Sequence, residues 1–248
     1  MSKITSKDDY NSNFNQLLSR LGFFSAVLTV LITVVFLLAG ILTPARSGPF
    51  ATSAVNAIHY PYTNVAAFIP GDYLWIYPGI LLALIFIVLM VCIHYYSSDD
   101  KKVFSQIGLS FALIYATVIL IDYFIQLTVI VPSIINGETA GLSLLTQYNP
   151  HGIFIALEGL GYLMMSVAFL FMAAVFNGGR LERAIRWIFI SGFLIAIIFF
   201  TILSLLKYDI VAFEVAILTI NWIVLIVNGL LLSVLFHRAA QHSPSLSQ

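Results

Sequence analysis

Six apolar runs, each long enough to cross a lipid bilayer as a helix, constrain this chain more than any motif in it. They fall at about 21–43, 72–96, 103–131, 151–176, 184–206 and 211–236. A helix rises about 1.5 Å per residue, so roughly 20 apolar residues span a hydrocarbon core of about 30 Å. The composition leaves no other solvent. Of 248 residues, 60% are hydrophobic and 9% charged, with a mean hydropathy of +1.01, against about 25% charged in a soluble domain. A soluble fold of this length has too much surface to hide so many apolar side chains. The expectation is an all-α polytopic membrane protein, a bundle of six transmembrane helices in a single membrane domain over 1–248. The third run exceeds what a perpendicular crossing needs, so it should tilt or protrude.

Nine of the eleven Lys and Arg residues fall on one side of this arrangement. Lys3, Lys7 and Arg20 precede the first run, Lys101 and Lys102 lie between the second and third, Arg180, Arg183 and Arg186 flank the fourth-to-fifth junction, and Arg238 follows the sixth. Only Arg46 and Lys207 fall on the other side. Short cytoplasmic loops are enriched in basic residues. Both termini are therefore expected in the cytoplasm, with the protein in the plasma membrane. The arginine group reads as topogenic rather than as a site for anionic lipid. The first run, about 23 residues long, is read as a retained helix rather than a signal peptide, although ILTPARS behind it is a weak match to a cleavage site.

The outer loops are unusually apolar. Between Ser47 and Gly71 there is no Asp, Glu, Lys or Arg, but there are Pro49, Phe50, His59, Tyr60, Pro61, Tyr62, Phe68 and Pro70. From Pro132 to Pro150 the only charge is Glu138. Such segments are expected to lie on the bundle or at the interface, where Tyr is favoured. Loops 44–71 and 132–150 should together form a cap over the outer face.

Charge inside the apolar runs is the chemical clue. Asp122 lies in SFALIYATVILIDYFIQLTVIV and Glu158 in HGIFIALEGLGYLMMSVAFLFMAAVF. An acid at such depth costs roughly 2.5–3.5 kcal/mol on insertion scales, and so marks a functional candidate. At about 1.5 Å per residue, Asp122 lies roughly 13 Å below the outer boundary and Glu158 about 10 Å. Gln126 and Tyr162 fall at about 8 and 16 Å, and Glu214 and Asn221 at about 5 and 15 Å. Polar groups of three helices thus share the outer half of the membrane. Asp122 and Gln126 are spaced i, i+4; His151, Glu158 and Tyr162 follow i, i+7, i+11; Glu214, Asn221 and Asn228 recur every seven residues. Each set keeps to one helix face, and those faces should point into the bundle. The second run adds Asp72, Tyr73, Trp75 and Tyr77 at its outer end.

The candidate ligand, proton or cation site is therefore Asp122, Glu158, Gln126, Tyr162, Asn221, Glu214, His151 and Tyr77. Each has a plainer reading. Asn221 and Asn228 also suit interhelical hydrogen bonding; Tyr73, Trp75 and Tyr77 suit an interfacial aromatic belt; Glu214 is shallow enough to be simply wet. His151, behind Asn149–Pro150, suits a helix start, and either acid could be a neutral carboxyl bonded to a neighbouring helix.

Familiar chemistries are missing. The chain has no HExxH, no histidines at i, i+4 and no phosphate-binding glycine motif, and nothing identifies a cofactor or supports a metal site. Cys92 is the sole cysteine, which excludes an intrachain disulfide and a cysteine zinc cluster. It reads as an inert buried thiol. Zero net charge argues against a nucleic-acid partner. The expected partners are membrane lipid and a small solute or amphiphile, with homo-oligomerisation left open.

Three functions remain on this reading. The first is binding or transport of a small cationic or amphiphilic solute, which buried acids on several helices favour. The second is an intramembrane acid/base enzyme on a lipid-like substrate, two acids in a dry pocket being able to differ in role. The third is a sensor or accessory subunit. No internal repeat of the kind common in carriers is visible, and past Tyr162 the fourth run has only Ser166 as a polar residue before Asn177.

Overall fold

The computed structural model describes residues 7–48, 51 and 57–242. Lys3, Pro49 and Phe50, named above, lie outside them. Every regular element among the described residues is helical. Six helices are long and apolar enough to cross a membrane. They are α1 (Lys7–Leu42), α2 (Ile76–Tyr96), α3 (Lys102–Ile125), α4 (Ile153–Met172), α5 (Arg180–Phe199) and α6 (Ile210–His242). Each packs on its neighbours in the chain, α6 closes back onto α1, and α4 also meets α6. α4 is the central helix, with 56% of its apolar window buried; α5, at 17%, is the outermost. Phe23 and His237 meet at 5.6 Å, so the N-terminal part of α1 and the C-terminal part of α6 share one end of the bundle. This is the terminal end; the opposite one is the loop end.

The helix limits differ from the apolar runs for identifiable reasons. α1 begins at Lys7, not near residue 21, because a helix can continue into water on polar residues that hydropathy does not register. The third spanning segment covers Asp99–Ile135, 37 residues, about 55 Å of helix, longer than the roughly 30 Å that a perpendicular crossing needs. It passes Pro132, which lacks an N–H and whose ring clashes with the carbonyl four residues back. A π-helical turn at Gln126–Ile130 absorbs that misfit before the helix resumes at Val131–Ile135. α5 likewise ends in a π-turn, Phe200–Leu206. The Asp209 carboxylate then caps α6 by accepting from Ala212 N–H at 2.9 Å.

Close helix contact depends on small residues. A Cβ on Gly108 of α3 would lie 3.0 Å from Met172 and 3.2 Å from the Ala168 carbonyl oxygen of α4. Polar groups add specific links. The Asn221 amide donates to the Tyr162 carbonyl at 3.2 Å and to Ser166 Oγ at 3.0 Å, tying α6 to α4. Asn228 donates to the Ile185 carbonyl of α5. Asn221→Ala is expected to cost about 1 kcal/mol, the usual scale for such bonds in membranes, and to be non-additive with Ser166→Ala in thermal unfolding in detergent.

Toward the terminal end the interior is filled by aromatics. Phe86 meets Phe169 edge-on at 5.8 Å, and Phe169 stacks on Phe189 at 4.9 Å. A separate cavity at the terminal end, lined by Gln16, Arg20, His237 and Gln241, lies beyond this aromatic layer.

Candidate functional site

A cavity of about 270 Å³ lies at the loop end between α1, α4 and α6, beneath residues 43–48 and 147–150. Glu158 of α4 and Glu214 of α6, respectively 2% and 8% exposed, line it. They come from two helices and face one space. Tyr123 of α3 donates its phenol hydrogen to Glu158 Oε1, which fixes that carboxyl. The ring can come so close because α2 has Gly79 there: a Cβ at 79 would lie 2.5 Å from Tyr123 Cε2.

The walls are aromatic. Phe36 stacks on Trp75 at 5.8 Å and meets Trp222 at 5.0 Å, and Trp75 meets Phe154 at 6.1 Å. All four line the cavity. Aromatic faces carry negative charge density and attract cations.

The roof is an ion pair. Arg46 Nε and Nη2 donate to Asp72 Oδ2 and Oδ1 at 2.5 and 3.0 Å, and the guanidinium lies 3.7 Å above the Phe68 ring. Tyr148 Oη donates to Asp72 Oδ2 at 3.0 Å, and the Gln147 amide donates to the Asp72 carbonyl at 3.2 Å. One aspartate thus joins both loops. Bonding to its carboxylate raises the Arg46 pKa further, and burial pushes the Tyr148 phenol up, so it stays a neutral donor. Pro44, Ala45, Gly48 and Val215 are the exposed lining residues and form the rim.

The charge balance is simple. Arg46 and Asp72 cancel, and Glu158 and Glu214 are left. At just under the roughly 300 Å³ where drug-sized pockets begin, the cavity suits a small solute or one end of a larger amphiphile.

Of the residues singled out from the sequence, the structure puts Glu158 and Glu214 at the cavity. Asp122 is buried behind it and does not line it. Tyr162 is fully buried one turn below Glu158. Gln126 holds the second loop, donating to the Leu145 carbonyl at 2.7 Å and accepting from Gln147 N–H at 3.2 Å. Asn221 makes the α4–α6 link described above. His151 and Tyr77 are exposed and stand apart from the cavity. Periodicity missed Arg46, Phe36, Phe154 and Trp222. Arg46 did carry a signal, as one of only two basic residues on its side. Among the described residues, no group of three His, Cys, Asp or Glu could hold a metal ion.

Six helices long and apolar enough to span, with carboxylates buried among them, define the class: a polytopic membrane protein. Comparison with known proteins goes no further: no family model matches the chain, and neither a curated protein nor a solved structure is detectably similar.

Proposed function

We propose that the protein binds a small organic cation, or the ammonium end of an amphiphile, in the loop-end cavity and carries it across the plasma membrane. The observation that carries this reading is that Glu158 and Glu214, both buried, line one small cavity beside an aromatic wall. Two carboxyls held together in a dry site repel when both are charged, and a cation between them relieves that repulsion. Trp75, Trp222 and Phe36 supply the faces that recognise alkylammonium groups. Arg46 does not favour an anion instead, because Asp72 already satisfies it. The basic asymmetry supports cytoplasmic termini and a cavity on the outer side. The aromatic filling toward the terminal end supports alternating access over a standing pore.

The test uses the cavity's own tryptophans. In Trp187→Phe, which removes the exposed indole on α5, only Trp75 and Trp222 remain to fluoresce. Titration with tetraethylammonium is expected to change that emission saturably, whereas its neutral carbon isostere and acetate leave it unchanged. Equal responses to the neutral and charged probes would exclude cation recognition. Cation uptake into proteoliposomes then tests the transport step.

Gly79→Ala is expected to weaken tetraethylammonium binding about tenfold, as misplacing a positioning group commonly does. The added methyl displaces Tyr123 and frees the Glu158 carboxyl it holds. Unchanged affinity in this variant would show that the phenol does not position the acid.

A further inference from the structure

Asp122 is the buried carboxyl that the cavity does not use. It is 2% exposed, its Oδ2 has no hydrogen-bond partner, and among the described residues it forms no ion pair. An ionised carboxylate there has nothing to offset its desolvation; a proton removes that cost. Yet the chain neighbour of Asp122, Tyr123, bonds to Glu158, which with Glu214 lines the cavity.

Behind the cavity these groups belong to a larger polar cluster. Tyr115 is two turns from Asp122 on the same α3 face, and its ring meets that of Tyr162 at 5.5 Å. Tyr162 is one turn from Glu158 on α4. Both rings are fully buried, and neither hydroxyl makes a hydrogen bond of good geometry. Buried polar atoms are nearly always bonded. Three buried oxygens without a well-formed bond, Asp122 Oδ2 and the Tyr115 and Tyr162 hydroxyls, thus lie on these two facing helices. The surrounding titratable groups are few. α4 brings Glu158 and Tyr162, α6 brings Glu214, and α3 brings Tyr115 and Tyr123. α2 has no acidic or basic side chain between Asp72 and His94, and the loop-end cation Arg46 is held by Asp72.

We propose that Asp122 is a proton-binding site, separate from the cavity, whose proton leaves when a cation settles on Glu158 and Glu214. This rests on the cation-binding reading above. The balance is one positive charge in and one out: the ligand enters, the Asp122 O–H bond breaks, and the proton passes to water. Such linkage is reciprocal, so cation affinity rises with pH wherever the proton is released. The protein becomes a proton–cation exchanger rather than a simple binder.

The experiment measures protons released per tetraethylammonium bound, with a pH indicator and purified protein in weak buffer. Wild type is expected to release about one proton per ligand, and Asp122→Asn less than half of that. Because the ratio is taken per ligand bound, a change in affinity does not disturb it. Binding without proton release, or equal release from wild type and Asp122→Asn, overturns the exchange and leaves cation binding standing. No binding to the wild type overturns the cation-binding reading itself. Should Asp122→Asn fail to fold, infrared difference spectra of the wild type decide. Loss of a protonated-carboxyl band on ligand addition supports the proposal, and its absence overturns it.

Discussion

Replacing both cavity acids, Glu158→Gln with Glu214→Gln, is expected to abolish tetraethylammonium binding while making the empty protein more stable. The loss follows from the charge balance. With Arg46 and Asp72 cancelled, these two carboxyls are the only net charge at the cavity. Removing one side of a buried charge contact costs about 2–5 kcal/mol, so an affinity loss of at least about 30-fold is expected. The gain in stability follows from the same geometry. Glutamine is nearly isosteric, keeps a carbonyl oxygen to accept from Tyr123, and ends the repulsion between two acids that share one cavity. Sites that oppose like charges are commonly stabilised when the function is removed. Each single variant should lie between wild type and double variant in both properties. Thermal unfolding in detergent, alongside the tryptophan titration, measures the two together. A double variant that is less stable than wild type would mean that the carboxyls hold the helices together and are not arranged for a ligand.

The membrane architecture was readable in the chain because lipid imposes a length rule that six apolar runs satisfy. The polar first turns of α1 escaped that rule, which says nothing of a helix in water. That the acids lie inside apolar helices and are buried was equally readable, since an acid at such a position is kept from lipid. Their partners were not. Tyr123 is one residue past Asp122 and therefore about 100° round the helix, and it, not Asp122, reaches Glu158. Periodicity assigns a face, but it cannot tell a residue at a cavity from one packed behind it. Gln126 and Asn221 illustrate the same gap: the stripe put them inside, but only the structure shows their amides spent on a loop and on a neighbouring helix. Arg46 was counted for topology, and its pairing with a residue 26 positions away has no local signature. Phe36, Phe154 and Trp222 sit in apolar runs where nothing separates a cavity wall from lipid-facing surface.

The second large effect should come from Asp72→Ala. The change removes the carboxylate that Arg46 grips with two nitrogens, and with it the acceptor for Tyr148. The side chains of the pair are only 12% and 6% exposed, so the guanidinium is left largely covered and unpaired. Breaking a fully buried pair costs about 3–5 kcal/mol. At the loop end, where water can reach Arg46, about 2–3 kcal/mol is the better expectation. Most of that cost is the stranded charge, so Arg46→Met in the same chain should restore part of it. A double-mutant cycle is then expected to give a coupling above about 1 kcal/mol. The loops should respond as well, because Asp72 is the residue at which they meet. With the aspartate gone, the segment bearing Arg46 loses its anchor over the cavity. Trypsin should cut after Arg46 several times faster than in wild type, while cleavage after Lys207, also at the loop end, stays unchanged. Equal acceleration at both would point to general loosening of the bundle. Acceleration at Arg46 alone, accompanied by weaker tetraethylammonium binding, would identify the ion pair as the latch that holds the roof over the Glu158–Glu214 carboxyls.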